Sequence, residues 1–122
     1  MEYLGLTFTE IPVSNFDRSR IFYEEILRFS VAHLDQVNQW CLYTIPGSQT
    51  AVAIYTDREM VFDSRSPTRL VMEVQDLDKM IEYLERYDIE LESVRVHERE
   101  NFRITGFVDL DGNQWRVWSK TE

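Results

Sequence analysis

One cysteine, three prolines and four glycines are few for 122 residues. A lone thiol, Cys41, cannot close an internal disulfide, so packing and hydrogen bonds must hold the fold, as suits a reducing compartment. So little proline, beside 13% aromatic residues, argues against disorder. No run approaches the roughly 20 continuous apolar residues that a spanning helix needs. Basic residues are in deficit as well: 13 Lys and Arg stand against 22 Asp and Glu, for a formal net charge of −9. Nucleic-acid binding rests on a basic surface, so nucleic acid is not an expected partner. Met1-Glu2-Tyr3 offers neither the basic start nor the apolar run of a signal peptide. The expectation is a cytoplasmic protein without a membrane segment. Apolar residues make up 43%, enough for one real core.

What is present is an internal echo. Shifting the chain by 61 residues, half its length, lays Thr7–Val13 on Thr68–Val74 and Asn15-Phe16-Asp17-Arg18 on Asp76-Leu77-Asp78-Lys79. Phe22 then falls on Tyr83, and Glu24 on Glu85. Each copy begins with a strand-like segment ending in Val, continues with an Asx residue able to cap a helix, and enters an amphipathic helix. Ser19, Phe22, Tyr23 and Ile26 share one face of the first helix; Leu77, Met80, Ile81 and Leu84 share one of the second. Three strand-like segments follow in each half. They are Phe29–Leu34, Gln39–Ile45 and Thr50–Thr56, then Glu92–His97, Phe102–Asp109 and Gln114–Ser119. Pro46-Gly47-Ser48 and Asp111-Gly112-Asn113 mark the turns before the last strands. The reading is one domain over 1–122, made of a βαβββ module at about 1–56, a polar linker at about 57–67, and a second βαβββ module at about 68–119.

Val13-Ser14-Asn15-Phe16-Asp17-Arg18-Ser19-Arg20-Ile21-Phe22-Tyr23, with Leu27, resembles the opening motif of the vicinal oxygen chelate superfamily. That group includes glyoxalase, the extradiol dioxygenases, and the fosfomycin and bleomycin resistance proteins. The usual pattern is V-x-D-x-x-x-S-x-x-F-Y-x-x-x-L-G-F; Asn15 replaces its Asp and Arg28 its Gly. Phe107–Trp115 resembles the closing motif F-x-D-P-D-G-N, with Leu110 in place of Pro. The resemblance implies an α+β fold in which two tandem βαβββ modules form a curved, cup-shaped mixed sheet with helices outside, commonly within a homodimer.

Metal-dependent members hold a divalent ion with His, Gln and Glu side chains on the first and last strands of each module. Carried over by spacing, three of those positions fall on Phe8, Arg69 and Arg116, and the fourth lies in Val52–Tyr55, which has no His, Asp, Glu or Gln. Phenylalanine has no lone pair to donate, and a guanidinium repels a cation. No metal or other cofactor is therefore expected, and the metal-dependent glyoxalase and dioxygenase reactions are not expected either.

Residues two apart on a strand share a face. Phe8, Glu10 and Pro12 then face the cup, as do Arg69, Val71 and Glu73, and Gln114, Arg116 and Trp118. The alternate residues, Ile11, Val13, Leu70, Met72, Val74, Trp115 and Val117, are apolar and suit packing under helices. Candidate ligand-binding residues are Phe8, Glu10, Arg69, Glu73, Arg116 and Trp118, with Trp40 as a further wall. Two readings stay open for the arginines: internal ion pairs with Glu10 and Glu73, or a grip on a ligand's carboxylate or phosphate. His33 and His97 read as strand residues, with a general base in a pocket as the alternative. No catalytic residue is assigned. The favoured function is metal-independent binding of a small molecule, for which an anion is one option. The alternative is an enzyme of the same superfamily, lyase or dioxygenase-like, using acid–base chemistry from a carboxylate or histidine.

Overall fold

The computed structural model describes residues 1–57, 59 and 67–121. The chain divides into two compact units, Met1–Val61 and Phe62–Glu122. Most of the linker expected at about 57–67 lies outside the described residues.

Unit 1 runs β1 (Thr9–Val13), α1 (Phe16–Ile21) continued by a π-helical stretch (Phe22–Ile26), β2 (Ser30–Asp35), β3 (Trp40–Thr44) and β4 (Ala51–Thr56). Unit 2 runs β5 (Arg69–Glu73), α2 (Leu77–Arg86), β6 (Arg95–His97), β7 (Phe102–Val108) and β8 (Gln114–Lys120). The sheets have matching order, β1-β4-β3-β2 and β5-β8-β7-β6. In each, the first strand pairs parallel to the last and the other pairs are antiparallel. The helix supplies the crossover that a parallel pair requires. Both units are thus βαβββ, and both sheets are mixed.

The Asx residues do the capping expected of them. The side chain of Asn15 accepts the Arg18 N–H at 3.1 Å, and that of Asp76 accepts the Lys79 N–H at 3.1 Å. Each satisfies one of the four N-terminal N–H groups that a helix leaves open. The helix ends differ between the units. In unit 1 the Leu27 N–H reaches back five residues to the Phe22 carbonyl at 3.0 Å, and Arg28 then turns out through φ 63°. That is the left-handed region where glycine is usual, and Arg28 occupies it with a β-carbon. In unit 2 α2 is regular, and Asp88 takes the left-handed position.

Facing follows the alternation in the sequence. Ile11, Val13, Cys41, Tyr43, Val52 and Ile54 are buried in unit 1, beside Phe22 and Tyr23 of the helix. Trp115, Val117 and Phe107 are buried in unit 2, beside Leu77 and Leu84 of α2. Tyr23 stacks with Phe29 and with Tyr43, ring centroids 6.0 Å apart in both cases. A half-buried polar group borders this apolar layer. Glu24 accepts two hydrogen bonds from Arg20, at 2.7 and 3.1 Å, and one from the Tyr43 hydroxyl at 2.8 Å. Burial pushes the Glu24 carboxyl up, but these hydrogen bonds outweigh it and hold it below its ordinary value. Burial likewise pushes the Cys41 thiol up, so this cysteine is a packing residue and no nucleophile.

The turn before β8 is closed by one side chain. Asp109 accepts the backbone N–H groups of Asp111 and Asn113 at 2.9 and 2.8 Å, and the Asn113 side-chain amide at 2.8 Å. Gly112 sits at φ 84°, where a β-carbon would clash with the backbone. Among the described residues, no helix is long and apolar enough to cross a membrane.

Candidate functional site

The face of each sheet away from its helix is open, and there the two units part company. On the unit 2 sheet the register sets Arg69 opposite Gln114, Val71 opposite Arg116, and Glu73 opposite Trp118. Across the next pair Gly106 lies opposite Arg116 and Ile104 opposite Trp118; Arg95 and His97 of β6 then lie opposite Ile104 and Phe102. Opposite residues point to the same face, so this side gathers three arginines from three strands. They line one open hollow of about 730 Å³ with His97, Gln114 and Glu92. Three guanidiniums against one carboxylate is a basic patch in a chain of net charge −9.

Arg116 is the most enclosed of the three. Its side chain is 16% exposed, and its Nη1 lies 3.5 Å from the Glu92 carboxylate. The Arg116 Nε–H is buried with no hydrogen-bond partner. Glycine at 106 is what lets these groups lie over the strand. A β-carbon there would come within 2.6 Å of Glu92 Oε2 and 3.0 Å of Arg116 Cδ. The Glu92 backbone is itself pinned to β7. Its N–H donates to the Gly106 carbonyl at 2.8 Å, and its carbonyl accepts the Thr105 hydroxyl at 2.6 Å.

An apolar annex adjoins this polar hollow. Val71, Phe102, Ile104 and Trp118 line a second depression of about 260 Å³, and the first three of them also line the hollow. Trp118 meets Phe102 edge-on at 5.8 Å. On the other side of Phe102, His97 lies flat against the ring, 4.4 Å between centroids and 11° between planes.

Unit 1 offers a different set. Phe8 lies just before β1, 39% exposed, with its ring edge-on to Trp40 at 5.8 Å. The Trp40 indole N–H donates to Glu10 at 2.7 Å, and His33 packs 5.9 Å from the Trp40 ring. Trp40 therefore stands with Phe8 and Glu10. It also engages the carboxylate, which the sequence reading did not foresee.

Of the candidate residues, Phe8 and Glu10 thus stand together in unit 1. Arg69, Glu73, Arg116 and Trp118 stand on one face of unit 2, with Arg69 and Arg116 in the hollow and Trp118 in its annex. Glu73 is exposed at the end of β5. The question of internal pairing has a specific answer: Arg116 pairs with Glu92, and among the described residues neither Arg69 nor Glu73 forms an ion pair. Glu92 and Arg95 were missed from the sequence. Arg95 was accessible, since Arg95 and His97 alternate on a strand beside two apolar valines. Glu92 was not, because nothing in the chain order brings residue 92 to residue 116.

The donor set does not suit a divalent cation. The positions implied by the resemblance carry a phenyl ring and two guanidiniums, and the described residues contain no group of three His, Cys, Asp or Glu that would hold a metal ion.

Comparison with solved structures gives the same architecture. An integron cassette protein from the mobile metagenome of a Halifax Harbour sewage outfall superposes with a TM-score of 0.80 at 20% identity, covering 96% of this chain and 99% of that one. FosX, a fosfomycin resistance protein from Listeria monocytogenes solved with Mn(II) and sulfate, gives 0.80 at 15% identity, covering 98% and 93%. A protein from Bacillus anthracis assigned to the glyoxalase family gives 0.80 at 14%, covering 99% of both chains. These likenesses show the fold. No curated protein matches the sequence. The sequence profile of one family does match, over residues 5–117, and the chain belongs to the Glyoxalase/Bleomycin resistance protein/Dioxygenase superfamily.

Proposed function

We propose that this protein binds a small anionic molecule without a metal ion, on the open face of the unit 2 sheet. The observation that carries the reading is the convergence of Arg69, Arg95 and Arg116 on one hollow that contains a single carboxylate. A guanidinium is always charged and presents a planar fork that matches carboxylate and phosphate oxygens. The annex lined by Trp118 and Phe102 adds a place for an apolar body beside the anion. Structural neighbours lend support through their ligands: FosX has been solved with sulfate, and an E126Q variant with 1S,2S-dihydroxypropylphosphonic acid, both together with Mn(II). Here arginines would take over charge neutralisation that a cation can provide. The acid–base alternative has less to draw on, because Glu10 already accepts the Trp40 indole and Glu92 already faces Arg116. A homodimer is the assembly that the family resemblance implies, and light scattering on the purified protein tests it.

Phenylphosphonate is a suitable probe, combining an anionic head with an aromatic body. Calorimetric titration of chelator-treated protein is expected to show saturable binding, weakened about tenfold by either Arg69→Gln or Arg95→Gln. Binding that needs an added divalent ion, or that is unchanged in both variants, would sink the reading.

A further inference from the structure

We infer that Glu92 is a built-in competitor for the anion site: its carboxylate occupies Arg116 in the unliganded protein and must be displaced by the entering anion. This rests on the proposed binding of an anion at the unit 2 hollow. Four observations converge on the carboxylate. Glu92 Oε2 lies 3.5 Å from the Arg116 guanidinium, which is ion-pair range but longer than a good charge-assisted hydrogen bond. The Glu92 side chain is 42% exposed where Arg116 is 16% exposed, so the acid is the partner with solvent to move into. Its backbone is bonded to β7 on both sides, through the Gly106 carbonyl and the Thr105 hydroxyl, so the swing belongs to the side chain alone. Gly106 leaves the space in which that carboxylate rests.

The physical consequence is a threshold. A tethered group competes at an effective concentration on the order of millimolar. A free anion that touches only Arg116 offers no more than the carboxylate already there, and loses. An anion that reaches Arg69 or Arg95 as well as Arg116 spans two guanidiniums at once, and wins. The site therefore ignores single-contact monoanions and admits head groups with several oxygens able to span two arginines. The empty state is also protected, because Arg116 is enclosed and an enclosed charge without a partner is costly.

Displacement is separable from simple repulsion by ligand charge. If Glu92 must leave for any anion to bind, removing its charge tightens all anions by one common factor. If Glu92 merely repels from nearby, a dianion gains about the square of what a monoanion gains, since Coulomb energy scales with charge. The test is calorimetric titration of the wild type, Glu92→Gln and Glu98→Gln with benzoate and with phenylphosphonate, at about pH 8, where a phosphonate carries close to two charges. Glu92→Gln is expected to tighten both ligands about tenfold, with the two gains equal within about twofold. Glu98→Gln removes the same charge from an exposed site and is expected to change both by less than about twofold. Glu92→Ala should reproduce the Glu92→Gln gain, because the backbone bonds of residue 92 to Gly106 and Thr105 remain. Unchanged or weaker binding in Glu92→Gln overturns the inference and leaves the anion site standing. A gain that grows with ligand charge, or an equal gain in Glu98→Gln, does the same. If neither ligand binds the wild type or Glu92→Gln, the anion site itself falls and the competitor with it.

Discussion

The two units share a fold and differ in chemistry, and the difference runs along one side of each sheet. On the helix side several positions 61 apart correspond. Asn15 and Asp76, 61 apart, cap their helices through the same bond, and Tyr23 and Leu84, also 61 apart, are both fully buried. On the open side the charges differ, although in each unit an edge-strand histidine packs on the aromatic ring that starts the next strand. Unit 1 presents Phe8, Trp40, His33 and a Glu10 held by an indole; unit 2 presents three arginines around one carboxylate. Packing constrains every residue beneath a helix, because interiors are close-packed and sensitive to a single methylene. An open strand face carries no such demand, so polarity there can change sign while the fold stays.

This comparison can be broken most forcefully in the core. Tyr23→Ala and Leu84→Ala are expected to cost about 3–4 kcal/mol each, measured by urea unfolding, because both empty a fully buried site. A large cost in one unit and almost none in the other would end the equivalence of the two. Next comes binding. The double change Arg69→Gln with Arg95→Gln should weaken phenylphosphonate about a hundredfold, or roughly 2.7 kcal/mol, while Glu10→Gln should change it by less than about twofold. Comparable losses from both would place the ligand elsewhere. Smaller still, Asn15→Ala and Asp76→Ala should each lower stability by about 1 kcal/mol, one cap apiece.

The smallest effect concerns acid. Glu24 and Glu85 stand 61 apart, but Glu24 is tied into the Arg20–Tyr43 group and Glu85 is exposed. Hydrogen bonds hold the Glu24 carboxyl below its ordinary value in the folded protein, so it binds its proton less readily there than when unfolded. Its contribution is therefore present above the unfolded carboxylate range and is lost as pH falls through the depressed folded value. Thermal melts from neutral to acid pH should show Glu24→Gln with a flatter decline than the wild type.

Much of this was legible in the chain. The alternation of Ile11 and Val13 with Glu10, and of Trp115 and Val117 with Arg116, assigned the strand faces, because a pleated strand turns successive side chains to opposite sides. The Asx caps and the Asp-Gly-Asn turn were legible because they are local: donor and acceptor sit within four residues. Even Arg28, which departs from the superfamily's glycine, sits in the left-handed region where glycine is usual.

What the sequence did not reveal was long-range. The Trp40–Glu10 bond joins residues 30 apart, and the Arg116–Glu92 pair joins residues 24 apart, each across a sheet whose strand order differs from chain order. Inserting β8 between β5 and β7 brings Arg69 and Gly106 to either side of Arg116, and Glu92, bonded to the Gly106 carbonyl, meets Arg116 there. Sequence by itself determined the repeat and the facing of each strand, since each depends on residue type and short spacing. Tertiary structure decided which charges meet, because ion pairing depends on distance in space, and strand order sets that distance.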